Sequence, residues 1–388
     1  MRLPIESLKI RNLLSFGDSA EAVELRALNV LIGPNGSGKS NFIEAITLLS
    51  EMPQDMSSYI ARNSGLLNWL WKGSDSPIAS IETIGYSTVG SLAYNHSISF
   101  GRVEQSLQVM DESVAFRLPS DQRQRKPIFQ MSAGIPVLRA SSRRKEVPRE
   151  SFDTRHSALW REQRPEIAFE LDPLSRLYRS FRIYRGRSLN HIAPAKQPQD
   201  TDQQAIFLSP NATNLGLIIN RIFRTGLRKK FIEALAEVFE GVKDLELSFE
   251  SGSVQILLFE DGLQQPIPAS RLSDGTFRWL CLLAILLNPD SPPLICLEEP
   301  EIGLHPYLVV ALADLIREAA KRTQLIVTTH SDTLVDALTD DPESVIVCEK
   351  IHGSTSLKRL REGELRIWLK EYGLGRLWRR GQLGGNRW

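Results

Sequence analysis

The chain has 388 residues, of which 42% are hydrophobic and 24% are charged. This composition excludes a wholly disordered protein and is sufficient for a sizeable core. The length predicts two or three domains, or one large domain that carries an insertion. The longest apolar run, Trp279 to Leu287, is under half of a membrane span, and the N-terminus lacks the apolar stretch of a signal peptide. Three cysteines within apolar stretches favour buried thiols and a cytoplasmic protein.

Charge is distributed unevenly, although the net charge is only +1. Residues 117–187 hold 17 Lys and Arg against 8 Asp and Glu, a balance of +9 that leaves −8 for the rest of the chain. A basic middle segment in an otherwise acidic chain predicts a surface that faces a polyanion. An exposed insertion whose charges pair with one another is the alternative.

The N-terminal residues predict two strands, at 7–11 and 25–32, followed by a glycine-rich turn and a helix over 41–51. From 52 to 200 the pattern weakens. Short strand-like pieces remain at 97–100, 115–118 and 181–184. Residues 193–201 have the composition of an exposed loop or linker.

Regular patterns return after residue 210. We expect helices at 214–223, 227–239, 275–287, 307–321 and 332–338, and strands at 245–249, 254–259, 294–297, 325–328 and 345–348. The alternation of strands and helices in the last third predicts a largely parallel sheet covered by helices. The sequence contains no internal repeat and no sustained heptads, which argues against a long coiled coil.

A phosphate-binding motif lies between the second predicted strand and the first predicted helix. Residues 33–40 read GPNGSGKS and match G-x-x-x-x-G-K-[ST] in this context. The glycines let backbone N–H groups turn inward around phosphate oxygens, and the helix N-terminus adds positive potential. Lys39 is expected to reach the β- and γ-phosphates, and Ser40 to bind Mg²⁺. The predicted nucleotide-binding set here is Gly33, Pro34, Asn35, Gly36, Ser37, Gly38, Lys39, Ser40 and Asn41.

Two carboxylates follow an apolar strand more than 250 residues downstream. Residues 294–297 read LICL and lead directly into Glu298 and Glu299. A buried strand that ends in paired acids is a poor packing choice unless a cation lies there. In a P-loop enzyme the first acid supports Mg²⁺ and the second polarises the attacking water. Two surface glutamates after a core strand are the structural alternative.

Two other segments are compatible with phosphate contact. The sequence LSDGT at 272–276 precedes an apolar helix, and its Ser-x-Gly turn makes Ser273 and Gly275 candidates for a backbone anion site. Residues 325–331 read LIVTTHS, so that a strand ends in His330 at the edge where parallel sheets place ligand groups. A lone histidine is usually structural, but at this strand end His330 is a candidate for γ-phosphate contact.

In this order the motifs resemble those of the ABC-type P-loop ATPases, in the RecF, SMC and OLD-like branch rather than the transporters. Walker A is at 33–40, the signature at 272–276, Walker B at Glu298 and Glu299, and the switch histidine at His330. The opening SLKIRNLLSFGD, the D-loop-like EPEIGLHP at 299–306 and the C-terminal tail also resemble this branch, the tail resembling compact bacterial members. The resemblance is specific over residues 1–50 and 205–388.

This resemblance implies an α/β head with a mainly parallel sheet and an N-terminal antiparallel part, built from 1–50 and 205–388. Residues 51–204 are expected to form an inserted α+β lobe. It also implies ATP and Mg²⁺ as cofactors, Arg11 near the adenine, and a head-to-head dimer in which each signature loop closes over the partner's ATP. One departure is a Glu rather than an Asp at 298. The Q-loop glutamine, a further metal ligand, is assigned to Gln163.

Two basic segments that contain aromatic residues bear on partners. Arg176, Arg179, Arg182 and Arg185 alternate with Tyr178, Phe181 and Tyr184. Such a pattern suits phosphate contact and base stacking, whereas a half-buried strand with outward arginines is the alternative. The tail carries Arg376, Arg379, Arg380, Trp378 and Trp388, which could dock on the protein itself or on a partner subunit.

The function predicted from these features is an ATP-driven switch that regulates a DNA-directed process, either repair or anti-phage defence. A separately encoded effector, such as a Toprim-like nuclease, is the expected partner, and no membrane association is expected. The alternative is an ATP-dependent protein scaffold that holds a toxin or effector without binding DNA.

Overall fold

Strands dominate the first half of the chain, and strands and helices alternate in the second. The computed structural model describes residues 2–76, 78–88, 92–117, 127–132, 134–140, 143–146, 152–162, 165–186, 194–237 and 239–385. The strands are β1 (Ser7–Arg11), β2 (Val23–Glu24), β3 (Leu28–Ile32), β4 (Ile78–Tyr86), β5 (Ala93–Val103), β6 (Ser106–Arg117), β7 (Phe129–Ser132), β8 (Ile135–Ala140), β9 (Arg143–Glu146), β10 (Arg182–Arg185), β11 (Gln199–Asp200), β12 (Val242–Glu250), β13 (Ser253–Glu260), β14 (Ile267–Pro268), β15 (Leu294–Glu298), β16 (Gln324–Thr328), β17 (Val345–Ile351) and β18 (Ser354–Arg359). The helices are α1 (Lys39–Glu51), α2 (Met56–Arg62), α3 (Leu66–Trp69), α4 (Pro165–Arg179), α5 (Leu215–Ile222), α6 (Arg228–Ala236), α7 (Asp274–Leu286), α8 (Pro306–Ala320), α9 (Asp332–Asp336), α10 (Glu362–Leu365) and α11 (Leu374–Arg379).

These elements divide into two compact units. Unit 1 comprises Met1–Phe181, Ile346–Leu360 and Leu383–Trp388. Unit 2 comprises Arg182–Val345 and Arg361–Gln382. The chain therefore passes between the units several times, and each unit is assembled from segments that are distant in sequence.

Unit 1 contains an antiparallel sheet of strand order β2-β1-β4-β5-β6-β7-β8-β9. Alternate residues of β4 are buried, as a sheet with one covered face requires, and Ile81 of β4 lies between Ile10 of β1 and Ile98 of β5. The strand-like piece expected at 97–100 and the described part, 115–117, of the piece expected at 115–118 belong to the much longer β5 and β6. The antiparallel part is thus larger than predicted, because strands from the predicted head and from the predicted lobe pair in one sheet. The boundary between head and lobe stays a prediction.

A buried polar network joins this sheet to α4. Nδ1 of His96 lies 3.0 Å from the Tyr178 hydroxyl, and Nε2 of His96 lies 3.2 Å from Oε1 of Glu112. The Tyr178 hydroxyl also lies 2.7 Å from Oγ1 of Thr83, and Ser157 donates to Glu112 at 2.5 Å. All five side chains are buried. Because buried polar atoms are costly when unpaired, the network fixes how α4 sits on the sheet.

The predicted arginine ladder is split between α4 and β10. Tyr178, Phe181 and Tyr184 are all buried, so the expectation that these rings stack on bases is wrong. Arg176 pairs with Asp172 at 2.7 Å, and Arg182 lies over the Phe207 ring at 4.6 Å. The aromatic residues therefore serve the core.

In unit 2, the parallel strands β10, β15 and β16 are adjacent in that order. The strands expected at 294–297 and 325–328 and the helices expected at 275–287 and 307–321 are confirmed within a few residues. Every α7 residue after Gly275 is buried, which explains the unbroken apolar run from Trp279 to Leu286. Most described residues of the segment expected to be an exposed loop or linker, 193–201, are exposed, but the segment is anchored at Gln199, which is buried and whose side-chain amide donates to the Ala195 carbonyl at 2.6 Å.

All three cysteines are free and buried, as expected. Burial raises the pKa of Cys281 and of Cys348 to about 12, and it raises the pKa of Cys296 as well. Thiols with such pKa values are poor nucleophiles, which fits a packing role. Among the helices of the described residues, none has both the length and the apolarity to cross a membrane.

The buried network generates a stability prediction. Glu112→Ala removes the acceptor for Ser157 and for the Ala158 N–H group, and we expect the free energy of unfolding to fall by about 3 kcal/mol. Urea denaturation measures this change, with Glu82→Ala, at an exposed site on β4 of the same sheet, as the control. Equal effects of the two substitutions would show that the network adds nothing to stability.

Candidate functional site

The predicted phosphate-binding loop connects β3 to α1 in unit 1. Its backbone is left-handed at Gly33, Gly36 and Gly38, with φ of 148°, 74° and 109°. A Cβ atom at Gly33 would lie 2.2 Å from the Cys348 carbonyl oxygen, and one at Gly38 would lie 2.1 Å from Oγ1 of Thr355. Both positions therefore require glycine for conformation and for space.

Lys39 begins α1 and is buried, with its ammonium group inside the loop. Nζ donates to the Gly33 carbonyl at 2.7 Å and to the Pro34 carbonyl at 3.1 Å. The Ser37 hydroxyl is buried and has no hydrogen-bond partner among the described residues. An inward cation, an unused hydroxyl and a helix N-terminus fit the phosphates of a nucleotide. Of the other predicted contacts, Asn35, Gly36 and Ser40 are exposed, and Pro34 and Asn41 are half-buried.

The β17–β18 hairpin supports this loop. Thr355 donates to the Ser37 carbonyl at 2.9 Å, and its Oγ1 lies 2.7 Å from Oγ of Ser15. The sequence analysis missed Thr355, because more than 300 residues separate it from the motif and no local pattern marks it. Arg11, predicted near the adenine, is exposed at the end of β1.

The two predicted acids lie at the carboxyl end of β15 in unit 2. Parallel pairing aligns Glu298 with Thr328 of β16. Glu299 has a left-handed backbone, with φ of 49°, and its N–H donates to the Thr328 carbonyl at 2.9 Å. Its Oε1 lies 3.4 Å from Nε2 of His330. A non-glycine residue in this conformation is strained. The surrounding contacts must therefore hold Glu299 in place.

A third carboxylate, Glu301, was not singled out by the sequence analysis. It connects the segment that follows β15 to the segment that follows β16. Oε1 of Glu301 accepts the Thr329 hydroxyl at 2.6 Å and the His330 N–H at 3.0 Å. Burial raises the pKa of this carboxyl, against the lowering effect of those two donors. The pattern EPE in the D-loop-like segment was the available signal, but it did not indicate which carboxylate would turn inward.

The strand next to β15 contributes another missed feature. Arg185 is the last residue of β10, and the parallel register of β10 and β15 places its backbone beside that of Glu298. A Cβ atom at Gly186 would lie 3.1 Å from the Glu298 carbonyl oxygen, so the chain after β10 passes close to the acids. Gln163, the predicted Q-loop residue, lies outside the described residues.

The signature segment begins α7 and packs against the D-loop-like segment. Ser273 caps the helix by accepting the Thr276 N–H at 3.1 Å. A hydrogen bond from Lys196, at 2.5 Å, lowers the pKa of Asp274. A Cβ atom at Gly275 would lie 3.0 Å from the Gly303 carbonyl oxygen, which explains the need for a small residue there.

The C-terminal tail docks on the helix that follows His330. Arg379 of α11 pairs with Asp332 of α9 at 2.9 Å, and Trp378 is buried. The Gly375 N–H donates to Oδ1 of Asp336 at 3.0 Å. The described tail therefore uses its basic and aromatic residues within unit 2, whereas Trp388 lies outside the described residues.

Mg²⁺ is compatible with these groups. In phosphate sites this ion takes one or two protein ligands together with phosphate oxygens and water. Ser40 and Glu298 supply a hydroxyl and a carboxylate of the kind that it uses. The described residues contain no cluster of three or more His, Cys, Asp or Glu side chains able to hold a metal by themselves.

Comparison with known proteins identifies the family. The model of the family described as "AAA domain, putative AbiEii toxin, Type IV TA system" matches residues 28–336, well over half of the chain. The chain belongs to this family. Among curated proteins, ABC transporter A family members 6 and 5 of Arabidopsis thaliana are 33% and 32% identical to it over 97 residues. The chain spans about a tenth of the length of these relatives.

Solved structures similar to this AAA-family chain are heads of SMC proteins. An SMC head bound to the C-winged helix domain of ScpA has a TM-score of 0.59 at 17% identity, covering 93% of this chain and 99% of that one. The head from Pyrococcus furiosus, bound to the C-terminal domain of ScpA, has a TM-score of 0.53 at 15% identity, covering 96% and 99%. At these identities the likeness concerns the fold. The predicted α/β fold and the ABC-type P-loop ATPase resemblance, in the SMC and RecF-like branch, are confirmed.

The loop geometry generates a prediction about two glycines. Alanine at either Gly38 or Gly36 must adopt a left-handed conformation that costs about 1–3 kcal/mol, but only Gly38→Ala also collides with Thr355. We expect Gly38→Ala to weaken ATP binding at least about tenfold more than Gly36→Ala does, by calorimetry. Equal losses would mean that contact with Thr355 does not shape the loop.

Proposed function

We propose that the protein is an ATP-hydrolysing switch. The pairing of Glu299 with His330 carries the proposal, since it puts an acid and an imidazole at neighbouring strand ends, 3.4 Å apart. Lys39 would bind the β- and γ-phosphates. Ser40 of unit 1 and Glu298 of unit 2 would each offer an oxygen ligand suited to Mg²⁺, an ion that neutralises developing phosphate charge. Glu299 orients the attacking water and accepts its proton. His330 contacts the γ-phosphate.

The proposal includes assembly of two chains head to head. Ser273 and Gly275 lie at the N-terminus of α7, where the exposed Ser273 is accessible to a second molecule's nucleotide. ATP then joins the two heads, and hydrolysis releases them. The product of the cycle is a change in assembly, as expected of a regulator.

The proposed output is a DNA-directed process, repair or anti-phage defence, acting through a separate effector such as a Toprim-like nuclease. The excess of positive charge over 117–187 supports this output. Buried, free thiols support a cytoplasmic location.

A second candidate is a scaffold that holds a toxin or effector without DNA, and the family description, which names a putative toxin of a toxin–antitoxin system, favours it.

Glu299→Gln tests the hydrolytic role. It preserves the shape of the side chain but removes the general base, so we expect hydrolysis to fall roughly 100-fold or more while ATP binding persists. The variant is expected to accumulate as an ATP-bound dimer in sedimentation with ATP and Mg²⁺. Glu246→Gln, at an exposed site on β12, is the control. Hydrolysis near the wild-type rate in Glu299→Gln would assign the base to another group.

Ser273→Arg tests the assembly step and leaves every Walker A residue unchanged. The larger side chain fills the signature surface, so we expect no ATP-dependent dimer and normal ATP affinity. Ser273→Asn keeps a helix-capping acceptor and serves as the control. Normal dimerisation of Ser273→Arg would contradict the head-to-head arrangement.

DNA separates the two candidate outputs. If the switch engages DNA, we expect ATP hydrolysis to rise with duplex DNA and DNA affinity to fall steeply between 50 and 200 mM salt, about the range where phosphate contacts are screened. Hydrolysis and assembly that ignore DNA, with a specific effector retained through purification in an ATP-dependent manner, would support the scaffold instead.

A further inference from the structure

Glu301 lies in the segment between β15 and α8, two residues beyond Glu299. Its Oε1 accepts two hydrogen bonds, from the Thr329 hydroxyl at 2.6 Å and from the His330 N–H at 3.0 Å. Its Oε2 is buried and has no partner among the described residues. Burial of a carboxylate with one unpaired oxygen costs free energy. Its two hydrogen bonds must therefore stabilise the local structure in a way that an exposed side chain would not.

Oε1 of Glu301 fixes the segment of the chain that follows β16. β16 ends at Thr328, so Thr329 and His330 no longer have the strand ladder to fix them. Oγ1 of Thr329 in turn accepts the Ser331 N–H at 2.9 Å, and Ser331 caps α9. One oxygen of Glu301 therefore fixes both the backbone that carries the His330 ring and the start of the following helix.

The other end of the same segment is attached to the signature helix. Arg278 of α7 donates to the Ile302 carbonyl, next in sequence to Glu301. Gly303 packs against Gly275 so closely that a Cβ atom on Gly275 would lie 3.0 Å from the Gly303 oxygen. A displacement of the α7 N-terminus must therefore move residues 301–303 or break these contacts.

We propose that Glu301 is a positioning residue that links the signature helix to His330. It holds the imidazole against Glu299, and it transmits movement of the signature segment to that pair. The link rests on the proposed ATPase function of the same site. It gives a physical route by which engagement of the signature segment changes hydrolysis within the same chain.

Steady-state kinetics test the role of the carboxylate oxygen. Glu301→Ala removes hydrogen bonds to a charged acceptor, and we expect kcat to fall about 10- to 100-fold with KM for ATP within about twofold. Glu301→Gln keeps an oxygen at the Oε1 position and is expected to stay within about threefold of wild type. Glu318→Gln, on the outer face of α8, is the matched control. A large rise in KM, or equal losses in Ala and Gln variants, would overturn the proposal.

A double substitution tests whether Glu301 acts through His330. On a His330→Ala background, Glu301→Ala is expected to cause no further loss of kcat, because the group that it positions is already absent. A further tenfold loss would overturn the proposal. Should Glu301→Ala fold poorly, Thr329→Val, which removes one donor, is expected to show the same KM-against-kcat split and the same dependence on His330.

A measurement without hydrolysis separates this inference from the proposed function. NMR spectra are recorded on nucleotide-free protein, and the signal of the His330 imidazole is assigned by its absence from the spectrum of His330→Asn. We expect Glu301→Ala to shift or broaden that signal and Glu301→Gln to leave it in place. An unchanged signal in Glu301→Ala would refute the positioning role, whatever the ATPase activity. A changed signal in a protein that does not hydrolyse ATP would refute the proposed function and leave the link between Glu301 and His330 standing.

Discussion

Parallel pairing of β15 with β16 determines the arrangement of unit 2. It aligns Glu298 with Thr328, so the residues that follow each strand emerge side by side at one edge of the sheet. Backbone hydrogen bonds fix this register, and because both faces of each strand are buried, a slip by one residue would disrupt the packing on both sides. The close approach of Glu299 to His330 follows from this alignment. The sheet brings the two strand ends together, and hydrogen bonds from Thr329 and His330 to Glu301 fix the residues just beyond them.

A different constraint governs the phosphate-binding loop of unit 1. There the chain must turn from a buried strand into a helix while its amide groups face inward, and left-handed glycines make that path possible. The space left by the missing Cβ atoms is filled by Cys348 and Thr355 of the β17–β18 hairpin. The loop therefore depends both on the conformational freedom of its glycines and on packing against residues that are distant in sequence. Residues near the end of the chain maintain a motif near its beginning.

The sequence indicated the βαβ half of the fold because its strands are continuous apolar runs and its helices are strongly patterned. It under-predicted the antiparallel sheet, since inward positions such as His96 and Glu112 are polar and interrupt the alternation. Motif spacing identified Lys39 and the pair Glu298 and Glu299 as candidates. It could not identify Thr355 or Lys196, whose roles depend on contacts across long stretches of chain that no local pattern records.

The left-handed backbone at Glu299 has an evolutionary consequence. Glycine adopts this conformation without strain, so replacement of Glu299 by glycine would relieve the local backbone while removing the carboxylate. Glutamate and glycine codons differ by a single nucleotide. A single point mutation can therefore relieve the backbone strain at this position and remove the acid in one step. Stability therefore opposes rather than favours the residue to which the proposed function assigns the general base.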